Sequence, residues 1–370
     1  MVRKLILTKL QCRREVLLMK KYICIFCIIT IIFLVYNKSH SNQSKYVNNV
    51  VNINSDVELL AMTLDGKKIE NFPDFNRNKY NINITCKNAD AKWSPENNKL
   101  ILENIVGKVT CNIDFNSNPQ TLGSIIVSTA NNEGTAGYRY KGFDPDNYVW
   151  FNNEMWQIIG NIPTKTSEGG TIENLPKLIR VSDIGYFIYD DQGNPAWGTN
   201  ILYTVLNEYY YGKLDGTWDG YCLHTSSSLS KCNYTNIGLS ADDFYGSMVK
   251  KVYWNTGKID KGVSAAEAYS GELAIQEVNA FVGIINSSDY LYAYGNSSTN
   301  DINTNWLKRS TVTLSGYISD SWISCFQSDG TSHMCSRGQQ MYVYPVVYLD
   351  PSVYVISGDG TEANPYQLGM

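Results

Sequence analysis

From Val57 to Phe115 apolar and polar positions alternate: Val57 and Leu59, then Tyr80, Ile82 and Ile84, then Leu100 and Leu102, then Val109, Cys111, Ile113 and Phe115. Asp65-Gly66, Asn97-Asn98 and Gly107 punctuate these runs. A period of two between turn residues is the signature of short, half-buried strands, so residues 57–115 are expected to form a small all-β sandwich of immunoglobulin-like type. Cys86 and Cys111 fall inside two of the strands with Trp93 between them. A bridge packed on an aromatic side chain is the expected core of so small a unit, and a ligand platform is the alternative role for Trp93. Residues 116–137, rich in Asn, Gly, Ser and Thr, are expected to be a linker.

The pattern then starts again. Tyr138 to Tyr140 and Tyr148 to Phe151 alternate, Asn152-Asn153 supplies a two-residue turn, and Met155 to Ile159 completes a hairpin, with a further strand at Lys177 to Val181. At Ile201, Leu202, Val205, Leu206 and Tyr209 the spacing becomes helical, with Thr199 or Asn200 as N-cap. Ser240 and Asp243 open a second expected helix carrying Phe244, Met248 and Val252 to Trp254, and Ser264 with Glu267 forms a capping box for a third. Strands return at Ala280 to Ile285, Thr311 to Leu314, Trp322 to Phe326, His333 to Cys335 and Tyr342 to Leu349. Strands at both ends with helices between, and no regular βαβ repeat, make residues 138–370 an α+β domain.

Composition adds a surface that is polar with little charge: charged residues make up 18% and there are 27 tyrosines. Residues 1–21 carry seven Lys or Arg against one Glu, so the remainder is acidic by ten charges, which argues against a nucleic-acid partner. Lys20 and Lys21 precede an apolar run from Tyr22 to Val35, the pattern of a secretory signal or single anchor over residues 1–41. Ser39 and Ser41 offer a small-x-small cleavage site, and Met19 is an alternative start. Residues 42–56, polar and Asn-rich, read as a stalk. The expectation is an exported chain, secreted or held at the membrane by its N-terminal helix.

Outside the leader six cysteines remain: Cys86, Cys111, Cys222, Cys232, Cys325 and Cys335. An even count in an exported chain reads as disulfides, with 15 pairings open for six cysteines. Spacing favours nearest neighbours. Ser328 to Thr331 is a hairpin signal, and a three-residue loop at Asp329 to Thr331 would set Cys325 directly opposite Cys335. Nine intervening residues do not resemble the short spacings of zinc sites.

The string GYRYKGFDPDNYVWFNNEMWQIIG from Gly137 to Gly160 resembles the opening of a group of uncharacterised exported proteins of low-G+C Gram-positive gut bacteria. Trp254 to Gly257, Ser288 to Ala293, Asn305 to Leu307, Tyr344 to Leu349, Ser357 to Tyr366 and Asn71 to Phe75 extend the likeness. More distantly the larger domain is similar to the C-type-lectin-like fold shared with formylglycine-generating, sulfatase-modifying proteins. Val343, Tyr344 and Pro345 stand where that fold's last strand often carries an Arg, absent here. The resemblance implies two further expectations: a C-type-lectin-like module, and, as an alternative activity, a copper-dependent oxidase using Cys325 and Cys335 as thiols.

No catalytic constellation is complete. His40 lies where the leader meets the stalk, His224 and His333 sit beside cysteines in expected loops, and zinc, phosphate-loop and nucleophile-elbow motifs are missing. Asp144, Asp146 and Asn147, or Asp289, offer oxygen ligands for calcium, but Asp144-Pro145-Asp146-Asn147 has the composition of a plain turn. No cofactor or metal is called for. Aromatic and amide side chains suit recognition, so the expectation is a cell-surface, adhesion-type protein binding a glycan or a surface protein, with a purely structural envelope role as a further alternative. Trp197, Trp218 and Tyr221, with Tyr209 to Tyr211 nearby, and Trp306, Tyr317 and Trp322 are the candidate platforms.

Overall fold

The computed structural model describes residues 46–47, 57–75, 79–190, 196–216, 232–294, 305–307, 309–317, 322–327 and 331–370. The expected leader, Trp218, Tyr221, Cys222, His40 and His224 lie outside the described residues. The architecture is mixed α+β, mostly strands with few helices.

The first module contains β1 (Tyr46–Val47), β2 (Val57–Leu64), β3 (Lys67–Ile69), β4 (Asn81–Lys87), β5 (Asp90–Ser94), β6 (Lys99–Glu103) and β7 (Val109–Asn116). One sheet runs β3-β2-β7-β4 and a second β1-β6-β5. β2 lies parallel to β7, so these two strands are joined by a crossover through the rest of the module. Alternation places Ile82, Leu102, Val109, Ile113 and Phe115 inside. Asp65 and Gly66 both take positive φ, the backbone that a two-residue hairpin requires between β2 and β3. Cys86 faces Cys111 in register and is bonded to it. Trp93 is buried against Phe72, Phe75 and Phe115 and works as core rather than as a ligand platform.

The stretch with linker composition is not merely a linker. Thr121 caps α1 (Leu122–Thr129) by accepting from the Ser124 amide at 3.2 Å, and Leu122 and Ile126 are sunk in the larger core. The polar residues that signal a linker face outward from this helix. β8 (Asn131–Asn132) and β9 (Tyr138–Arg139) follow, then the expected hairpin of β10 (Tyr148–Phe151) and β11 (Glu154–Lys165), whose turn residues Asn152 and Asn153 have φ of 55° and 59°. β12 (Ile172–Arg180) and β13 (Tyr186–Phe187) precede α2 (Ile201–Thr204), which Asn200 caps and which continues as a π-helical stretch to Tyr210.

Ser240 and Asp243 do not open a helix. Gly246 packs against the Ser240 backbone, leaving room only for turns and a single 3₁₀ turn at Gly246–Met248. β14 (Val252–Tyr253) then pairs with β11, so the apparent helical spacing of Phe244, Met248 and Val252 joins a tight turn to a strand. After β15 (Lys258–Ile259), the Ser264 capping box forms as expected on α3 (Ala265–Glu272). β16 (Asn279–Ala280), β17 (Val282–Gly283), α4 (Ser287–Tyr292), β18 (Thr311–Tyr317), β19 (Trp322–Phe326), β20 (Ser332–Ser336), β21 (Met341–Tyr342), β22 (Val346–Tyr348), β23 (Tyr354–Ser357) and β24 (Tyr366–Gly369) complete the chain.

The main sheet follows β17-β22-β12-β11-β10-β24-β23, and β15-β18-β19-β20 makes a second. Cys325 and Cys335 are bonded, but not as directly opposed residues: Cys325 pairs with His333 and Ile323 with Cys335. The Gln327 amide bonds the Thr331 carbonyl, so the loop closes one residue earlier than the spacing suggested and the bridge runs diagonally across the two strands. Cys232 is also disulfide-bonded. These bridges fit an oxidising, extracellular compartment. The two modules share a seam: Ile356 of β23 is part of the first module's core, and Asn81 Nδ2 donates to the Val355 carbonyl at 3.3 Å. Among the described residues no helix is long and apolar enough to cross a membrane.

Replacing Cys86 and Cys111 together by Ser is expected to cost about 2–5 kcal/mol in urea unfolding, because the bridge lies in a unit too small to rely on its apolar core.

Candidate functional site

Two places in the larger module gather chemically capable side chains. The first is sealed. On α4, Asp289 accepts from Arg139 Nη1 of β9 through Oδ1 and from Lys177 Nζ of β12 through Oδ2, both at 2.5 Å. Lys177 also donates to Asn286 Oδ1 at 2.9 Å, and Asn286 Nδ2 to the Asn255 carbonyl at 2.8 Å. Arg139 lies over the rings of Tyr292 and Tyr269, and Lys177 over Tyr348 and Trp254. Alongside, Glu272 of α3 accepts from the Ser288 amide, the Ser288 hydroxyl and the Ser315 hydroxyl.

Electrostatics follow from this geometry. Burial alone would push the Asp289 carboxyl up, but the adjacent Lys177 and Arg139 charges outweigh it and hold the group below the ordinary carboxylate range. Burial likewise opposes the charged forms of Lys177 and Arg139, and Asp289 holds both up. Burial wins at Glu272, whose carboxyl is pushed up despite its three donors. All of these side chains are buried, so the cluster is an internal brace rather than a reaction centre. Asp289, a calcium-ligand candidate by residue type, is fully engaged here. Among the described residues no group of three His, Cys, Asp or Glu side chains is placed to hold a metal. Asp144 accepts from the Tyr148 hydroxyl at 3.1 Å, the Asn147 backbone amide bonds the Pro145 carbonyl at 2.7 Å, and Asn147 Nδ2 donates to the Ile158 carbonyl at 2.9 Å.

The second place is open: a cleft of about 230 Å³ bounded by Tyr189, Ala196 and Trp197, by Ile275, Glu277 and Val278, and by the β18–β19 end of the second sheet. Buried Tyr189, Trp197, Leu314 and Ile323 form its floor, while Trp322, 40% exposed, and the exposed Lys258 and Glu277 stand at its mouth with Arg337. Burial raises the Tyr189 phenol, leaving it neutral at physiological pH. Trp197 is held edge-on to Tyr203, ring centroids 5.6 Å apart, so its position is fixed by the core. The cleft suits reversible binding of a small group against aromatic surface with charged side chains at the entrance.

Two of the expected platforms, Trp197 and Trp322, 125 positions apart in the chain, therefore meet in one cleft. Trp306 does not join them: it is half-buried, its Nε1 donating to the Tyr140 carbonyl at 2.9 Å. Tyr317 belongs to β18 by its backbone pairing with Ile259. Tyr210 is core, and Tyr211 stacks on Phe281 at 4.1 Å. The tyrosines are less exterior than composition suggests, since among the described residues 13 of them are buried. Lys258, Glu277 and Arg337 carry no local motif; only the fold brings them to the cleft. Cys325 and Cys335 are buried and bonded to each other, so the thiol pair that an oxidase would need is not free here. Comparison with protein-family models, with curated proteins and with solved structures returns no match.

Asp289→Asn leaves two buried cations without their carboxylate and is expected to cost about 3–5 kcal/mol at neutral pH in denaturant unfolding. In the wild type the Asp289 contribution is present above its unfolded pKa of 3.8 and is lost as pH falls through its lower folded value. Glu272 has the opposite sign: its raised folded pKa makes ionisation costly as pH rises above 4.5, so Glu272→Gln is expected to flatten the decline of stability on that side.

Proposed function

We propose that the chain is an exported, cell-surface binding protein of the adhesion type, recognising a glycan or a surface protein through the Trp197–Trp322 cleft. The observation that carries this reading is the convergence of two distant tryptophans on one opening, one locked in the core and the other exposed at the mouth. A large exposed aromatic beside a preformed floor is the arrangement of binding hot spots, where rigid aromatic area is gained at small entropic cost. The disulfides and the acidic balance of the chain beyond its basic leader support an extracellular setting without nucleic acid. In this proposal the sandwich is a spacer, a signal or anchor at residues 1–41 reaches the bacterial membrane, and the larger module is C-type-lectin-like. Side-by-side placement of β10 and β24, from opposite ends of that module, supports the last point.

The full-length chain, purified in a sugar-free detergent, is expected to bind mucin, glycans or bacterial envelope fractions saturably. Trp322→Ala should weaken that binding about tenfold or more, roughly 1.4 kcal/mol, without lowering the unfolding midpoint. Trp197→Ala should instead lower the midpoint, because it empties a core position. Absence of saturable binding, or binding indifferent to Trp322→Ala, would refute the reading.

A further inference from the structure

A groove runs along the seam between the two modules. It consists of two cavities, of about 380 and 420 Å³, that share Ala91, Lys92, Asn364 and Gln367. Neither shares a lining residue with the aromatic cleft. One wall is β5: Asp90 to Lys92 line the first cavity and Ala91 to Trp93 the second. Neighbouring side chains leave a strand on opposite faces, so cavities touched by four consecutive residues follow the edge of the strand rather than one of its faces. That edge is open, because β5 is last in the sheet β1-β6-β5. Every second residue of such a strand turns its N–H and C=O away from the sheet. Beyond the pairing with β6, no backbone group of Asp90 to Trp93 has a hydrogen-bond partner among the described residues.

The opposite wall belongs to the larger module. Met155 of β11 stands directly across from Trp150 of β10, which pairs in turn with Gln367 of β24. Cross-strand partners share a face, so these three side chains form a row over three strands. All three are half-buried and line the first cavity. Around the row, the exposed Asp90, Glu103 and Glu362 bring three carboxylates against the ammonium of Lys92, which Glu103 already holds at 2.7 Å.

An open backbone edge facing a half-apolar row, with surplus negative charge between them, matches an extended polypeptide. Such a segment offers main-chain donors and acceptors to β5, apolar side chains to Trp150 and Met155, and basic side chains to the carboxylates. A saccharide can stack on the indole but has no regular series of N–H and C=O groups to pair with the strand edge.

We propose that the seam groove docks a basic, extended segment of a partner protein by strand addition to β5. The first module then takes part in recognition as well as spacing, independently of the Trp197–Trp322 cleft.

The test uses the full-length chain in sugar-free detergent with four probes: a capped heptapeptide of alternating lysine and valine, its glutamate–valine counterpart, the lysine–valine peptide with its backbone amides N-methylated, and maltohexaose. Calorimetric titration gives the affinity, and hydrogen exchange read by mass spectrometry gives the place of contact. The lysine–valine peptide should bind saturably and slow exchange across Asp90 to Ser94, and the glutamate–valine peptide should not bind. N-methylation should weaken binding about tenfold or more, since it removes the main-chain donors. Glu362→Lys, on the surface, should weaken it about tenfold at an unchanged melting temperature. Trp322→Ala should leave peptide binding as it is, which separates failure here from failure of the aromatic cleft. The proposal is overturned if the lysine–valine peptide does not bind, or binds without slowing exchange in β5. It is equally overturned if the acidic or N-methylated peptide binds as well, or if Glu362→Lys leaves affinity unchanged. Protection of β5 by maltohexaose in place of the peptide would also overturn it and mark a glycan groove.

Discussion

One carboxylate organises the larger module. Asp289 receives a guanidinium from β9 and an ammonium from β12 while standing in the first turn of α4, so an added strand, the central sheet and a helix meet at a single side chain. Removing these charges from water costs several kcal/mol per ion. The offset comes from three sources on the same spot: two short charge-assisted hydrogen bonds, the faces of four aromatic rings, and the side-chain oxygen Oδ1 of Asn286. Such a brace fixes which elements pack together more than it adds net stability, because a misplaced α4 would leave two buried cations unpaired.

The brace extends outward through hydroxyls. Glu272 ties the end of α3 to α4 through Ser288 and to β18 through Ser315, whose hydroxyl in turn accepts from the Ser287 amide. Ser287 and Thr313 carry the chain of contacts to β19, where the Ser324 carbonyl accepts from the Thr313 hydroxyl. On its other side β18 contributes Leu314 to the floor of the aromatic cleft. One wall of the aromatic cleft is thus formed by a strand pinned to the buried network.

What the sequence made legible was local chemistry. The Asn152-Asn153 turn, the Ser264/Glu267 capping box, the strand at Trp322 to Phe326 and the alternation around Cys86 and Cys111 each depend on residues within a few positions of one another. The interactions that decide the architecture span the chain. Lys177 and Asp289 are 112 positions apart, and nothing near either residue announces the other. α4 lay hidden because its tyrosines resemble a strand, although Asn286 and Asp289 hold capping-box spacing. Turn composition alone left the β19–β20 register open by the two positions that separate direct from diagonal pairing of Cys325 and Cys335. For the site, residue type drew attention to Trp197 and Trp322, but not to Lys258, Glu277 or Arg337 around them.

Native-state hydrogen exchange tests the organising role of the buried network most directly, because its acceptors hold three consecutive amides: Asn286 to Asp289 Oδ2, Ser287 to Ser315 Oγ and Ser288 to Glu272 Oε1. If the network is the keystone, these amides exchange only through global unfolding, with protection equal to the unfolding free energy of the module. Exchange of the three through a local opening well below that free energy, while the β11–β12 amides stay protected, would show that the sheet stands without the brace and would contradict the account.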